Sequence, residues 1–264
     1  MQKNPEIKAV FFDIDGTLMS FKTHRVSNST QKAIDILKEK GVYVILATGR
    51  SIQSLEHVKF LDFDGYVTFN GAFCVSKQGE VLHKQAIDTQ DIQNVVEYAK
   101  KKPLSFSFMY EDDILINDVT KEVAGMYAHL NLPVPDPVDL DNAILDGVLQ
   151  TNVFLPPQEE PEFMEKVMPN CDSSRWTPLF ADVNPKGMSK RIGVETFCKH
   201  FNIDIKNTMA FGDGGNDLQM IQAVELGVAM GNANPELKEV ADYVTDSVDE
   251  DGIWNALTHF KVIE

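Results

Sequence analysis

Two acidic side chains, Asp13 and Asp15, follow directly on a short apolar run at residues 8–12. Carboxylates one residue apart can bind a metal ion, and such a pair could begin a calcium-binding loop. An EF-hand, however, requires glycine at the position of Leu18, so that type of site is excluded. A solvated turn is the ordinary alternative, and this cluster by itself leaves it open.

Two further clusters combine donors that suit phosphate oxygens. Thr48, Gly49 and Arg50 follow a second apolar run and supply a hydroxyl, a glycine that permits close approach and a bidentate cation. Lys190 stands at the predicted start of a helix, where its ammonium and free backbone N–H groups can face an anion, and Lys186 is a competing candidate. Taken alone, the Thr48-Gly49-Arg50 cluster is typical of an ordinary helix start, and each of the two lysines is typical of an ordinary protein surface.

A fourth cluster, GDGGND at residues 212–217, lies between a predicted strand and a predicted helix. It nearly matches the dinucleotide-binding pattern G-x-G-x-x-G. Asp213 and Asp217, however, would repel a pyrophosphate unless a divalent cation lay between them. Because Mg²⁺ prefers oxygen ligands and keeps some of its water, we expect a magnesium site here.

The elements between these clusters indicate an α/β fold with a doubly wound, Rossmann-like parallel sheet. Apolar runs at 8–12, 42–47 and 65–69 suit strands that are buried on both faces, and the alternation of strand and helix returns after Pro185. Open sheets of this kind carry their active sites at the carboxyl ends of the strands. We therefore expect the four clusters to meet there.

The middle third of the chain has a different pattern. A hairpin is predicted around residues 77–79 and a helix at about 88–102, followed by short strand candidates at 104–110, 114–117, 150–155 and 179–183. An insertion of roughly 100 residues is too long for a loop and should fold as a domain. We predict an α+β cap domain at 84–183, inserted into a core formed by 1–83 and 184–264.

Composition narrows the possible partners. The net charge of −16 argues against nucleic acid and anionic membranes, while a small anion can still bind where a metal reverses the local charge. The three cysteines are widely spaced, as in a reducing cytoplasm, and the first apolar run is too short for a signal peptide. We expect a cytoplasmic protein without membrane contact, and its oligomeric state stays open.

Together the motifs DIDGT, TGR, SK and GDGGND resemble those of the haloacid dehalogenase (HAD) superfamily. More narrowly, the chain is similar to the Cof-type hydrolases and sugar phosphatases, which carry a large α+β cap between the second and third motifs. The resemblance runs from Val10 to about Leu257 and includes FNGA at 69–72 and VAMGNA at 228–233. One departure is Arg191, where many relatives have glycine after the lysine.

The resemblance implies a magnesium-dependent phosphatase that acts through an aspartyl-phosphate. It makes Asp13 the nucleophile and Asp15 the acid/base, and it assigns Mg²⁺ to the carboxylates of Asp13 and Asp213 and the backbone carbonyl of Asp15. It also implies that Thr48 and Lys190 bind the phosphoryl group and that Asn216 and Asp217 position the site. The residues implied to contact the substrate are Arg50, Asn70 and Gly71.

The expected substrate is a small phosphorylated metabolite, with hexose phosphates first and pyridoxal phosphate or flavin mononucleotide next. A phosphomutase or phosphotransferase would use the same intermediate and is not excluded by the motifs. A noncatalytic receiver-like module would need no acid/base, so the presence of Asp15 argues against it. A dinucleotide oxidoreductase would need a third glycine in the fourth cluster, which GDGGND lacks. In the cap, Glu111, Asp112 and Asp113 could meet sugar hydroxyls, although a solvated hairpin is the simpler expectation.

Overall fold

The structure is a computed structural model that describes residues 6–130, 132–140, 145–175 and 177–264. Its strands are β1 (Ala9–Phe12), β2 (Tyr43–Ala47), β3 (Gly65–Thr68), β4 (Phe73–Ser76), β5 (Val81–Lys84), β6 (Ser105–Met109), β7 (Ile114–Ile116), β8 (Gln150–Phe154), β9 (Cys171–Ser174), β10 (Ala181–Pro185), β11 (Thr208–Gly212), β12 (Leu226–Ala229) and β13 (Tyr243–Val244). Its α-helices are α1 (Asn28–Glu39), α2 (Thr89–Ala99), α3 (Lys121–His129), α4 (Glu160–Lys166), α5 (Lys190–Phe201), α6 (Leu218–Ala223), α7 (Pro235–Val240) and α8 (Gly252–His259).

The larger sheet has the strand order β13-β12-β11-β1-β2-β3-β4-β5 within the described residues. The pairs from β13 to β3 are parallel, whereas β4 and β5 add an antiparallel hairpin at one edge. The central strands are apolar along their whole length because helices cover both faces. Helices α1 and α8 pack on one face, and α5, α6 and α7 pack on the other.

Helix α1 shows how local sequence sets these elements. The Ser27 side chain accepts a hydrogen bond from the Thr30 backbone N–H and so caps the first turn. Ala33, Ile34 and Leu37 share one face and are buried against the sheet. The chain then turns at Gly41, whose φ of +74° favours glycine, and enters β2. The local sequence therefore accounts for the start, the buried face and the end of this helix.

The second sheet is antiparallel and has the order β7-β6-β8-β10-β9. Strand β6, with the sequence SFSFM, alternates between polar and apolar side chains over its first four residues. Phe106 and Phe108 point to a face covered by α2 and α4, where they join an apolar cluster. Ser105 and Ser107 point to the opposite face and are also buried. One face of this sheet is therefore buried although it is polar.

The predicted α/β class with a parallel sheet is confirmed, and the strand positions differ in detail. Strand β9 was not predicted, because its sequence CDSS has neither an apolar run nor an apolar alternation. The predicted domain limits at 84 and 183 fall close to the ends of β5 and β10, and the division itself stays a prediction. No helix in the described part of the chain is long and apolar enough to cross a membrane.

Candidate active site

Polar residues follow the carboxyl ends of three neighbouring parallel strands of the larger sheet. Asp13 follows β1, Thr48 follows β2 and Asp213 follows β11, and these strands are adjacent in the order β11-β1-β2. All three residues line the same cavity, which has a volume of about 270 Å³. The predicted meeting of the motifs at the carboxyl ends of the strands is therefore present in the structure.

Lys190 lies beneath these residues at the first position of α5. Its side chain is completely buried, and its ammonium Nζ lies 2.5 Å from Asp13 Oδ1 and 2.6 Å from Asp217 Oδ1. Burial alone would lower the pKa of Lys190, but the charges of Asp13 and Asp217 outweigh burial and raise it. The lysine therefore stays charged. Lys186, the competing candidate, is exposed.

Asp217 has both carboxylate oxygens occupied. Oδ1 accepts from Lys190, while Oδ2 accepts from the backbone N–H groups of Asp213 at 3.0 Å and Gly214 at 2.9 Å. Carboxylate oxygens of Asp13, Asp213 and Asp217 all lie within 4.8 Å of one another. Because both oxygens of Asp217 already accept hydrogen bonds from Lys190 and the loop, Asp13 and Asp213 are the acidic residues of this group with the better opportunity to hold a metal ion.

The charges of this cluster do not balance. Three carboxylates and one ammonium leave two negative charges when all are ionised. Burial raises the pKa of Asp13 to about 7, with Lys190 opposing the rise and Asp217 and Asp15 adding to it. Burial, followed by the charges of Asp13 and Asp217, raises the pKa of Asp213 to about 9. A divalent cation with a preference for oxygen would offset this surplus, so the residues present fit Mg²⁺.

Gly16 lets the first motif approach the fourth. Its φ is +80°, and a Cβ atom built on it would lie 2.1 Å from Asp213 Oδ2. The Asn232 side-chain amide bridges the two segments by donating to Gly16 O at 2.8 Å and to Asp213 Oδ2 at 3.3 Å. Glycine is therefore required both by the backbone and by the space available. The turn that carries the backbone carbonyl of Asp15 is held beside Asp213.

Arg50 was predicted to contact substrate, and in this structure its guanidinium binds Asp15. The backbone N–H of Arg50 also donates to Thr48 Oγ1 at 3.1 Å, which fixes the threonine hydroxyl at the cavity. Both Arg50 and Asp15 line the cavity. The predicted substrate contact of Arg50 stays a prediction. It requires the guanidinium either to bind the Asp15 carboxylate and the substrate together or to exchange the carboxylate for the substrate.

Asn70 and Gly71 lie behind the cavity wall. Asn70 has a φ of +52° and Gly71 a φ of +100°, and a Cβ on Gly71 would lie 2.1 Å from the backbone oxygen of Ser189. Asn70 Oδ1 accepts from Asn216 Nδ2 at 3.0 Å, and Asn70 Nδ2 donates to side chains of the second sheet. This geometry gives both residues a positioning role, and their predicted contact with substrate stays a prediction.

The second sheet contributes a polar wall that sequence reasoning missed. Gln150, Asn152 and Asp182 line the cavity. Burial raises the pKa of Asp182 to about 7, against the opposing effects of Asn70, Lys190 and Asn152. Part of the signal lies in the alternation of apolar and polar residues in ADVN at 181–184, whereas QTNVF at 150–154 shows no such alternation. Glu111, considered for sugar binding, instead pairs with Lys84 on the surface.

The rest of that wall is apolar, and it comes from the second sheet, from α3 and from the segments next to them. Its residues are Met109, Ile114, Met126, Tyr127, Leu130, Leu132 and Phe180. From the first motif's turn, Phe21 also reaches the cavity and stacks on His129 of α3, with ring centroids 5.0 Å apart. The cavity therefore lies between the two sheets, with acidic groups on one side and a mixed surface on the other.

Comparison with known proteins agrees with this arrangement. Residues 10–257 match the family of haloacid dehalogenase-like hydrolases. The chain belongs to this family. That span contains all four motifs and the second sheet, so the HAD resemblance of the sequence is confirmed over nearly the whole chain.

Similar HAD proteins cover the chain from end to end. A putative phosphatase of Bacillus subtilis strain 168, YkrA, is 35% identical and aligns with 97% of this chain and 99% of its own length. The structure of the HAD phosphatase BT1666 from Bacteroides thetaiotaomicron superposes with a TM-score of 0.90 at 36% identity, covering 99% of this chain and 97% of that one. The HAD subclass IIB sugar phosphatase BT4131 superposes with a TM-score of 0.91 at 39% identity, covering 97% and 100%. The predicted class of enzyme, a hydrolase of the HAD phosphatase type, is confirmed.

Proposed function

We propose that this HAD hydrolase is a Mg²⁺-dependent phosphatase of small phosphorylated metabolites, with sugar phosphates as the preferred class of substrate. The observation that carries the proposal is the position of Asp13. Its carboxylate lines the cavity while a buried ammonium, Lys190, holds its Oδ1 at 2.5 Å. No hydrogen bond from the described residues engages Oδ2. A carboxylate fixed through one oxygen can present the other to phosphorus.

The reaction divides a slow hydrolysis into two displacements. An oxygen of Asp13 forms a bond to phosphorus as the bond from phosphorus to the ester oxygen breaks, which gives an aspartyl-phosphate and an alcohol. Water then forms a bond to phosphorus, and Asp13 leaves as a carboxylate. Thr48 and Lys190 lie beside Asp13 and would bind the equatorial phosphoryl oxygens, where negative charge must be stabilised.

Asp13, Asp213 and the backbone carbonyl of Asp15 would hold the magnesium ion. When bound, Mg²⁺ supplies positive charge that lets the phosphoryl group approach two carboxylates. Asp217 would keep Lys190 and the loop after β11 in place through its hydrogen bonds. Asn216 donates a hydrogen bond to Asn70, so it would also help to hold this loop in position.

Asp15 is the proposed acid/base. It gives a proton to the departing ester oxygen and later accepts one from the attacking water. Its carboxyl group lies at the cavity, as this role needs, but the two oxygens face the Arg50 guanidinium. Donating a proton therefore requires at least one of these hydrogen bonds to break when substrate binds.

Two observations support a sugar phosphate as the first substrate to test. The sugar phosphatase BT4131 shares 39% identity and the whole fold with this chain. The cavity also combines amide and carboxylate groups with an apolar surface, which suits a molecule with hydroxyl groups and C–H faces. Pyridoxal phosphate and flavin mononucleotide come next. The unpaired, buried cysteines favour a cytoplasmic location for the reaction.

The test is a phosphate-release assay over phosphorylated metabolites and p-nitrophenyl phosphate, with Mg²⁺ and with EDTA. We expect phosphate release that needs Mg²⁺ and is lost in Asp13→Asn, and one phosphate released for each substrate molecule consumed. Activity that survives Asp13→Asn would exclude the proposed nucleophile. Consumption of a sugar phosphate without release of phosphate would instead indicate a phosphomutase or phosphotransferase.

A further inference from the structure

One face of the second sheet is polar and yet shielded from bulk solvent. Ser107, Asn152 and Asp182 form a row across β6, β8 and β10, because Asn152 is the register partner of both other residues. Gln150 precedes Asn152 by two positions and therefore points to the same face. All four side chains are 5% exposed or less. Burying polar groups is costly unless they are well satisfied, so this row needs an explanation.

Hydrogen bonds fix the row around Asp182. Asn152 Nδ2 donates to Asp182 Oδ1 at 2.5 Å, and Gln150 Nε2 donates to the same oxygen at 3.1 Å. Ser107 Oγ donates to Asn152 Oδ1 at 3.0 Å, which sets the orientation of that amide. Gln150 Nε2 also donates to the backbone oxygen of Gly49 at 3.2 Å. The row is thereby tied to the loop that carries the proposed phosphoryl-binding group Thr48.

The charge of Asp182 is not explained by these contacts. No ion pair joins Asp182 to a basic side chain in the part of the chain that the structure describes. An asparagine in its place would accept from Asn152 and Gln150 equally well and would avoid burying a carboxylate. A purely structural role therefore does not require an acid here. A ligand that donates hydrogen bonds into the cavity would.

We propose that Asp182 accepts a hydrogen bond from a hydroxyl group of the substrate's leaving group, and that the substrate is a phosphate ester of a sugar or polyol. This inference rests on the proposed phosphatase function. Asn152 and Gln150 position the carboxylate, and Gln150 sets its place relative to the phosphoryl group through Gly49. Asp182 thus determines which leaving groups are accepted.

The remaining cap surface of the cavity agrees with this assignment. Side chains such as Met126, Tyr127 and Phe180 offer no strong acceptor other than the tyrosine hydroxyl, so they suit the C–H faces of a sugar ring. A site whose polar groups are concentrated at one point discriminates sharply, because a substrate without the matching hydroxyl leaves a buried carboxylate unpaired.

The experiment compares Asp182→Asn with the wild type in the presence of Mg²⁺. The substrates are p-nitrophenyl phosphate, glucose 6-phosphate with its 2-, 3- and 4-deoxy analogues, and ribose 5-phosphate with 2-deoxyribose 5-phosphate. We expect the wild type to prefer at least one hydroxylated substrate over its deoxy analogue by about 10- to 100-fold in kcat/KM, the value of a hydrogen bond to a charged group. In Asp182→Asn that preference should fall to within about threefold.

Ser105→Ala is the matched control. Ser105 lies on the same strand and face as Ser107, is buried, and does not line the cavity. Its replacement should leave the preference between each hydroxylated substrate and its deoxy analogue as in the wild type. Thermal melting of all three proteins shows whether a loss comes from a damaged fold, which would lower activity on every substrate alike and leave the preference intact.

The outcomes separate this inference from the proposed function. A wild type that hydrolyses p-nitrophenyl phosphate but discriminates against no deoxy analogue would overturn the role of Asp182 while leaving the phosphatase intact. A preference that persists in Asp182→Asn would do the same. If the wild type releases no phosphate from any substrate, it is the proposed phosphatase function that fails.

Discussion

The Asp15 carboxylate and the Arg50 guanidinium form a two-pronged ion pair at the edge of the cavity. Arg50 Nε donates to Asp15 Oδ2 at 2.7 Å, and Arg50 Nη2 donates to Asp15 Oδ1 at 2.6 Å. The side chain of Asp15 is 20% exposed and that of Arg50 is 7% exposed. Paired N–H···O bonds of this kind are strong and fix the orientation of the carboxylate. Both oxygens of Asp15 therefore accept from the guanidinium before substrate arrives, and proton transfer by Asp15 requires at least one of these hydrogen bonds to break.

Replacing Asp15 tests whether it acts as acid/base. We expect Asp15→Asn to lower kcat by about 10²- to 10⁴-fold with an alkyl phosphate such as a hexose phosphate. The loss should be smaller with p-nitrophenyl phosphate, because nitrophenolate leaves with little protonation. Steady-state kinetics on the two substrates give the comparison, and equal losses on both would rule out proton donation by Asp15.

Arg50→Lys tests the ion pair itself. Lysine keeps the charge but cannot make the two-pronged contact, so Asp15 loses its fixed position. We expect kcat/KM for alkyl phosphates to fall by about 10- to 100-fold, the usual cost of a misplaced catalytic group. Arg191→Lys is the control, since Arg191 forms an exposed pair with Glu195. Matching activities of the two variants would show that the clamp on Asp15 has no catalytic importance.

Lys190 should be essential for stability as well as for chemistry. Lys190→Met leaves Asp13 and Asp217 without their shared ammonium in a buried site, which costs about 3–5 kcal/mol when one partner of a buried pair is removed. Urea unfolding measures the change in the free energy of unfolding. Lys186→Met removes an exposed lysine four positions away and should change it by less than about 0.5 kcal/mol. Equal stability of the two variants would contradict the geometry of the cluster.

Magnesium should stabilise the protein, and more so at higher pH. The pKa of Asp213 is raised from 3.8 to about 9 in the folded protein, chiefly by burial. The folded state then holds a proton that the unfolded chain releases near pH 4, so the metal-free protein loses stability as pH rises from about 4 to about 9. Mg²⁺ binds the ionised carboxylates and offsets this loss.

The measurement is the difference in melting temperature between saturating Mg²⁺ and EDTA, taken from about pH 6 to about pH 9. We expect the difference to grow with pH in the wild type and to be largely absent in Asp213→Asn. That variant should also melt higher than the wild type in EDTA at the alkaline end, because one buried negative charge is gone. A magnesium effect that is independent of pH would count against the surplus charge described above.

The sequence predicted the fold of the core well because its signals are local. The strands that flank the first motif are short apolar runs, and the motif residues stand directly at their ends, as Asp13 and Thr48 do. A parallel sheet brings such positions together whatever the details of the loops. The positions of Asp13, which is the proposed nucleophile, of Lys190 and of the acidic loop at 212–217 could therefore be predicted from spacing and resemblance.

The polar wall of the cap could not be placed in the same way. Asp182 lies on a strand that the sequence did predict, but its importance comes from Asn152, which is 30 positions away, and from the face of the sheet that meets the core. Arg50 is a similar case. Its chemistry suits a phosphate and a carboxylate equally, and only the folded chain shows that Asp15, 35 positions away, is bound.

Gly16→Ala separates the effect of space from the effect of backbone strain. A side chain at this position meets a φ of +80° and a Cβ only 2.1 Å from Asp213 Oδ2, so the Asp213 carboxylate must move. Gly79→Ala meets nearly the same backbone, with a φ of +85°, but nothing lies within 4 Å of its Cβ. Both variants should lose about 1–2 kcal/mol of unfolding free energy from the left-handed conformation. Gly16→Ala alone should weaken Mg²⁺ binding, seen as a higher Mg²⁺ concentration for half-maximal phosphatase activity and a smaller rise in melting temperature with Mg²⁺. If both variants bind Mg²⁺ like the wild type, the position of Asp213 beside the first motif does not matter for the metal, and the ligand set proposed here must be revised.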